Sequence, residues 1–94
     1  AHDLIRRALE ISPEDFYILD SMGWVLYRMG RLDEAITYLT KALSARQDPE
    51  IAAHLGEVLW VKGDEAAARQ IWETALKETP KDVRLLDVIK RFNP

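Results

Sequence analysis

His54 and Glu57 are the two side chains of this sequence whose types and spacing come closest to a reactive pair. Residues three apart lie on the same face of a helix, where this pair could share a metal ion or a proton. Metal sites need three or four ligands, however, and no third ligand accompanies them. Ser21 has no neighbouring base to activate it, and the chain has no cysteine. We therefore predict a protein that is not an enzyme and has no catalytic, cofactor or metal site.

Composition narrows the classes of partner. The chain has 94 residues, 48% of them hydrophobic, which suits one small domain, residues 1–94. Its 13 basic and 16 acidic side chains are scattered and give a formal net charge of −3. That pattern provides no basic footprint for phosphate groups, so we expect no nucleic acid partner. Apolar runs are only a few residues long, and we expect no direct membrane contact from this segment.

The elements that position these side chains follow from an internal repeat. The order Asp, Gly, Gly, Ala, Ala occurs twice with identical spacing, and every landmark of the second set follows its counterpart in the first by the same interval. The two sets are Asp15, Gly23, Gly30, Ala35, Ala42 and Asp48, Gly56, Gly63, Ala68, Ala75. A period in the thirties indicates stacked repeats, each of which buries its apolar face against its neighbours. Function in such proteins usually resides on a surface.

Apolar residues recur with a helical period along almost the whole chain, which predicts an all-α fold. Asp15, Asp48 and Asp82 are suited to cap helix starts, while Gly30 and Gly63 interrupt the chain within each repeat. Each repeat is therefore predicted to be an antiparallel helical hairpin. The expected order is half a unit over residues 1–11, repeats at 16–45 and 49–78, and a capping helix at 83–92.

The last predicted helix departs from the repeat. Lys90 stands where a third glycine is expected, and Arg84, Asp87 and Arg91 accompany it on a polar side. Leu85, Leu86, Ile89 and Phe92 form the apolar side that we expect to be buried. A helix with one polar side suits the end of a stack of repeats. Because residues 1–11 resemble the second helix of a truncated unit, we expect a C-terminal fragment of a longer protein.

The spacing resembles that of the tetratricopeptide repeat (TPR), whose signature runs W-x2-L-G-x2-Y and then A-x3-F. The first part corresponds to Leu19, Met22, Gly23, Leu26 and to Ala52, Leu55, Gly56, Leu59, and the second to Ala35, Leu39, Ala42 and to Ala68, Trp72, Ala75. The resemblance implies a right-handed α-solenoid that binds proteins. The amino-acid sequences of both repeats are similar to those of C-terminal repeats in bacterial TPR proteins, many of which are cell-envelope lipoproteins that act as adaptors. That likeness implies a periplasmic or outer-membrane-anchored parent, and the alternative is a cytoplasmic one.

In the family that the chain resembles, the first helix of each repeat lines a concave groove. The positions here that correspond to groove positions are Tyr17, Asp20, Trp24, Tyr27, Arg28, His54, Glu57 and Trp60. Tyrosine and tryptophan dominate binding hot spots, and Trp24 stands at a place that is usually polar. The lysines and asparagines that hold peptide carboxylates in chaperone-binding relatives are absent. The expected ligand is an apolar or aromatic segment, with a basic residue opposite Asp20 and Glu57.

Two alternatives remain open at this point. The groove aromatics could instead fill gaps between hairpins, and the chain would then be an architectural C-terminal cap or a self-association segment of a longer solenoid.

Trp72, on a second helix, is predicted to be a core residue. The truncated unit at residues 1–11 would leave Leu4, Ile5, Ala8 and Leu9 partly uncovered, which predicts a weak homo-oligomer through the open N-terminal end.

Overall fold

The computed structural model describes residues 15–92, and all of the regular secondary structure in that range is α-helical. The helices are α1 (Phe16–Arg28), α2 (Leu32–Ala45), α3 (Pro49–Lys62), α4 (Glu65–Glu78) and α5 (Val83–Phe92). They belong to two compact units, of which the first ends at Arg46 and the second begins at Gln47. The prediction of an all-α chain built from helical hairpins is confirmed. The predicted helix over residues 1–11, with its open end, lies outside the described residues.

Aspartate side chains start the helices as the sequence predicts. Asp15 Oδ1 accepts hydrogen bonds from the backbone N–H groups of Tyr17 and Ile18, at 2.9 and 3.3 Å. Asp48 Oδ1 accepts from Glu50 N at 2.8 Å, and Pro49 occupies the first turn of α3. Each carboxylate satisfies amide donors that have no partner within the helix and meets the positive end of the helix dipole.

Further capping contacts come from Asp82 and Asp64. Asp82 Oδ1 accepts from Arg84 N and Leu85 N, at 3.0 and 3.1 Å, which confirms the third predicted helix start. Asp64 Oδ1 accepts from Ala67 N at 3.2 Å at the start of α4. These caps satisfy amide groups in the first turns of α4 and α5.

The two hairpin turns have the same backbone hydrogen bonds at equivalent positions of the repeat. In the first, Gly30 N donates to Tyr27 O and Arg31 N donates to Leu26 O, both at 2.9 Å. In the second, Gly63 N donates to Trp60 O at 3.0 Å and Asp64 N to Leu59 O at 2.9 Å. Gly30 and Gly63 have φ values of 82° and 109°, a left-handed conformation that side chains disfavour. Glycine is therefore what lets the chain turn back here.

The first unit is a hairpin held by a close helix crossing. Leu19, Met22 and Leu26 of α1 are buried, as are Ala35, Leu39 and Ala42 of α2. A Cβ atom added at Gly23 would lie 2.6 Å from Leu39 Cγ and 3.2 Å from the carbonyl oxygen of Ala35. Because Gly23 has no Cβ, α2 can approach α1 closely enough to bury Leu39 completely.

The hairpin in the second unit has the same construction with a larger side chain. Trp72 of α4 is only 1% exposed, which confirms its predicted core position, and it lies directly against Gly56 of α3. A Cβ at Gly56 would collide with the indole atoms Nε1, Cε2 and Cδ1. The Trp72 Nε1–H finds no acceptor among the described residues. Packing of a large ring therefore outweighs the cost of burying that donor.

Helix α5 packs on both α3 and α4, with Leu85 and Val88 as its buried residues. The expectation that Leu86 belongs to the buried side is wrong, since its side chain is 47% exposed. At the angular step of an α-helix, the positions 85, 88, 89 and 92 form one stripe, and position 86 falls beside that stripe. The apolar face of α5 is therefore centred on Leu85 and Val88.

Alanine substitutions at Gly23 and Gly56 should lower the stability of the chain by unequal amounts. Gly56→Ala forces the rigid indole of Trp72 to move, and we expect it to lower the free energy of unfolding by about 1–3 kcal/mol. Gly23→Ala meets Leu39 Cγ and the Ala35 carbonyl oxygen less closely than Gly56→Ala meets the indole. Alanine gains about 1 kcal/mol over glycine in either helix, so the net loss at Gly23 should be the smaller one because a leucine side chain adjusts more easily than an indole. Chemical denaturation followed by circular dichroism measures both.

Trp72→Leu provides the internal control for this prediction. In the Trp72→Leu background the indole is gone, so adding Gly56→Ala should cost much less than it does in the parent chain. Equal costs of Gly56→Ala in the two backgrounds would contradict the proposed contact. Gln70→Ala, at an exposed position of α4, should leave stability nearly unchanged.

Candidate functional site

The predicted site residues of the first unit form a continuous strip along α1, which we call the α1 strip. It consists of Tyr17, Asp20, Trp24, Tyr27 and Arg28. Their successive steps of three, four, three and one follow one side of a helix, away from the row that faces α2. Tyr17 is 69% exposed and Arg28 is exposed, while the other three are half-buried. The α1 strip therefore combines aromatic surface with one acidic and one basic side chain.

Trp24 and Tyr27 lie against each other at the centre of the strip. Their ring centroids are 5.0 Å apart, with the planes inclined at 46°. A tilted pair at this distance is a favourable aromatic arrangement, and each ring restricts the motion of the other. Both rings stay partly accessible, which leaves them a surface that another molecule could cover without first ordering them.

Tyr17 extends the aromatic surface toward the start of α1. Its ring stacks on Phe16 with centroids 4.9 Å apart and an interplanar angle of 26°. The Arg46 guanidinium lies 5.2 Å from the centroid of the Phe16 ring, in a cation–π contact with the end of α2. Sequence reasoning did not single out Phe16 or Arg46. They lie at opposite ends of the hairpin sequence, and their separation along the chain gives no signal until the hairpin is known.

The predicted residues of the second unit lie on α3 in a different environment. His54 is half-buried, and Glu57 is buried, with only 12% of its side chain exposed. Glu57 Oε1 accepts a hydrogen bond from Arg91 Nη2 of α5 at 3.3 Å, and Arg91 Nε reaches Asp87 Oδ2 at 3.3 Å. The basic residue expected opposite Glu57 is thus supplied by the chain itself.

Trp60, the third predicted residue on α3, belongs to an aromatic cluster. Its ring stacks on Trp72 at 5.8 Å and lies 6.5 Å from Phe92 of α5, while the Arg69 guanidinium is 5.1 Å from its centroid. These contacts give Trp60 a packing role in the second unit. Its ring is half-buried by residues of its own unit.

A second ion pair fastens α5 to α3 at the opposite end of the helix. Arg84 Nη1 lies 3.0 Å from Glu50 Oε2, and its Nη2 lies 3.5 Å from Asp82 Oδ2. Partial desolvation lowers the pKa of Arg84, but the hydrogen bond and charge of Asp82, with Glu50 and Asp48, raise it overall. Both interhelical pairs, Glu50–Arg84 and Glu57–Arg91, have the same sequence separation as Asp48 and Asp82. A glutamate and an arginine at the separation of the two helix caps could therefore have indicated these ion pairs from the sequence.

No metal-binding cluster forms within residues 15–92. That range contains no group of three or more His, Asp or Glu side chains placed to hold an ion, and His54 and Glu57 do not gain a third ligand there. None of the helices in the same range is both long and apolar enough to cross a membrane.

The two ion pairs differ in burial, and this difference predicts unequal contributions. Glu57 has a 12% exposed side chain, whereas that of Glu50 is 42% exposed. Arg91→Ala takes a hydrogen-bonded partner from a buried carboxylate and should cost about 1–3 kcal/mol of unfolding free energy. Arg84→Ala disrupts exposed pairs and should cost about 0–1 kcal/mol.

Urea denaturation of both variants measures the difference. Adding Glu57→Gln to Arg91→Ala removes the buried charge and should restore part of the loss. An equal, small effect of Arg84→Ala and Arg91→Ala would contradict a stabilising role for the Glu57 pair.

Comparison with known proteins is consistent with this architecture. The chain matches the family profile described as "Tetratricopeptide repeat" over residues 21–83. It is also similar to the TPR repeat-containing protein PA4667 of Pseudomonas aeruginosa, with 53% identity over 57 residues. That alignment covers 61% of this chain and only 10% of the relative's length. With the repeated glycine crossings and paired helices, the profile match shows that the chain belongs to the tetratricopeptide repeat family.

Proposed function

We propose that this chain is a protein-interaction module that binds a peptide or a segment of a partner protein on the α1 strip. Tetratricopeptide repeats generally mediate protein–protein interactions and generally serve as non-enzymatic scaffolds. The single observation that carries the proposal is the contiguous, partly accessible pair of Trp24 and Tyr27, with exposed Tyr17 on the same side of α1. Aromatic residues of this kind bury a large area at a small entropic cost.

The repeats that we assign to this function are residues 16–45 and 49–78, followed by a capping helix at 83–92. Helices α1 and α3 are the first helices of the two repeats, and they carry the predicted groove residues. On α3, Glu57 is held by Arg91 and Trp60 by the aromatic cluster. We therefore place the proposed binding surface on the α1 strip of the first unit and treat His54, Glu57 and Trp60 as a separate predicted surface of the second unit.

The chemistry of the strip favours a ligand with apolar or aromatic groups and a basic residue. Trp24, Tyr27 and Tyr17 provide ring faces that attract both apolar side chains and cations. Asp20 lies between Tyr17 and Trp24 along the helix and adds a negative charge to that surface. A lysine or arginine of the ligand can therefore contact ring faces and a carboxylate together, which determines its orientation on the strip.

A second candidate function is architectural, and the packing of α5 favours it. Leu85 and Val88 of α5 are buried where this helix packs on α3 and α4, and the two arginine pairs fasten its polar edge to α3. A chain whose main task is to cap a longer solenoid needs these contacts and does not need an accessible α1 strip. The two functions differ in what Trp24 contributes, because a binding residue and a packing residue respond differently to truncation.

The test begins with peptides selected from a random displayed library against the 94-residue chain, because no ligand needs to be assumed. Calorimetric titration of the enriched peptides should show that Trp24→Ala weakens binding about 30-fold or more, which corresponds to about 2 kcal/mol. Its thermal melt should stay close to that of the parent. Tyr38→Ala, a half-buried aromatic of the same hairpin on α2, is the matched control and should retain affinity.

Trp72→Ala completes the comparison. As a core truncation it should cost about 3–5 kcal/mol of stability and affect binding only through unfolding. If Trp24→Ala binds selected peptides as the parent does but melts far lower, Trp24 is a packing residue. The binding proposal then fails, and the architectural role is preferred.

The charge of the strip predicts a kinetic effect. Asp20→Lys should lower the association rate of basic peptides about tenfold at low ionic strength and have less effect on dissociation, because charges steer encounter. Stopped-flow measurements at two salt concentrations test this, and the difference between parent and variant should shrink at high salt. An association rate that does not respond to Asp20→Lys would exclude the electrostatic part of the proposal.

A further inference from the structure

The outer face of α5 is a second surface of the second unit, distinct from the α1 strip. We define it by Val83, Leu86, Ile89 and Lys90, which share one side of the helix. Val83 is 79% exposed, Leu86 is 47% exposed, Lys90 is exposed and Ile89 is half-buried. Ile89 lies at the border of the buried stripe, and Val83, Leu86 and Lys90 form an exposed patch beside it that the stripe does not explain.

The repeat itself identifies what such a face normally contacts. Alignment of the helix caps Asp48 and Asp82 makes Leu86, Ile89 and Lys90 the equivalents of Ala52, Leu55 and Gly56. On α3 those three residues are buried, and Gly56 lies against Trp72 of α4. On α1 the matching residues, Leu19, Met22 and Gly23, are buried, and Gly23 lies against Leu39 of α2. The same face of a first helix therefore receives an antiparallel second helix twice in this chain.

Lys90 alters the chemistry of that face at one defined point. Gly23 faces Leu39 and Gly56 faces Trp72, so the second helix of each hairpin places a large apolar side chain at the crossing. A lysine at the same place takes up the space of that side chain and brings an ammonium group to the crossing. Burial of an unpaired charge is unfavourable, whereas an opposing carboxylate compensates for it.

We propose that the outer face of α5 docks an amphipathic helix of a partner protein that carries a carboxylate where α4 carries Trp72. Apolar residues of the partner helix cover Leu86, Ile89 and the stem of Lys90, and the carboxylate pairs with the ammonium group. The pattern that fits is a small residue, an acid four positions later and another small residue three positions after that. This is the α4 pattern Ala68, Trp72, Ala75 with an acid at its centre.

A second copy of this chain fits the face less well than an acidic helix does. Leu39 and Trp72 occupy the central position on α2 and α4, and both are buried in their own hairpins. In the sequence of residues 1–11, which has the same spacing of alanines, the central residue is Ile5. Each of these would place an apolar side chain against the ammonium of Lys90. Charge complementarity therefore selects a different protein that has an acid at that place.

The test uses two capped synthetic peptides derived from residues 65–78, one with Trp72→Glu and one with Trp72→Lys. Fluorescence anisotropy with the full chain should show the glutamate peptide binding about tenfold more tightly than the lysine peptide. Lys90→Glu in the chain should reverse that order. Lys81→Glu, an exposed lysine in the preceding loop, is the matched control and should preserve it. Leu86→Ser should weaken both peptides, because it removes shared apolar contact.

The outcomes separate the proposal from its alternatives. Because Leu86 and Lys90 are exposed, their variants should melt like the parent by circular dichroism. Equal affinity of the two peptides, a preference unchanged by Lys90→Glu, or no binding of either peptide at millimolar concentration would overturn the proposal. Dimerisation of the chain that Leu86→Ser abolishes would also overturn it, in favour of a second copy.

Discussion

Close contact between a glycine on the first helix of a hairpin and a large side chain on the second is the constraint on which this fold depends. Gly23 receives Leu39, and Gly56 receives Trp72. The contact sets the distance between the helices, and that distance decides which residues can be buried beside it. Ala35 and Ala42 beside Leu39, and Ala68 beside Trp72, are fully buried because larger side chains would separate the helices again.

The second unit shows how the same plan accommodates a larger core residue. Trp72 needs more surrounding surface than Leu39, and the rings of Trp60 and Phe92 provide part of it. Phe92 comes from α5, so this helix completes the aromatic cluster as well as burying its own Leu85 and Val88. Arginine pairs then hold the polar edge of α5 on α3. Packing and electrostatics therefore act on the same helix from two sides, and α5 is an integral part of the unit.

Sequence reasoning predicted the helices and turns well because their signals are local. An aspartate cap or a left-handed glycine acts within a few residues, so Asp15, Gly30 and Gly63 could be assigned from spacing alone. The exposure of Leu86, beside the buried Leu85, depends on which part of the apolar side of α5 meets α3 and α4, and the sequence alone does not give that direction. The pairing of Glu57 with Arg91 and the stacking of Trp60 on Trp72 likewise depend on interhelical geometry. The predicted binding role of the α1 strip stays a prediction.

The short sequence distance between contacting residues also bears on how the hairpins form. Gly23 and Leu39 lie on consecutive helices, as do Gly56 and Trp72, and each pair is joined by a tight glycine turn. Closing so short a loop costs little chain entropy, and proteins dominated by such local contacts fold in microseconds to milliseconds. A hairpin of this kind can assemble soon after its second helix leaves the ribosome, before distant parts of the chain exist.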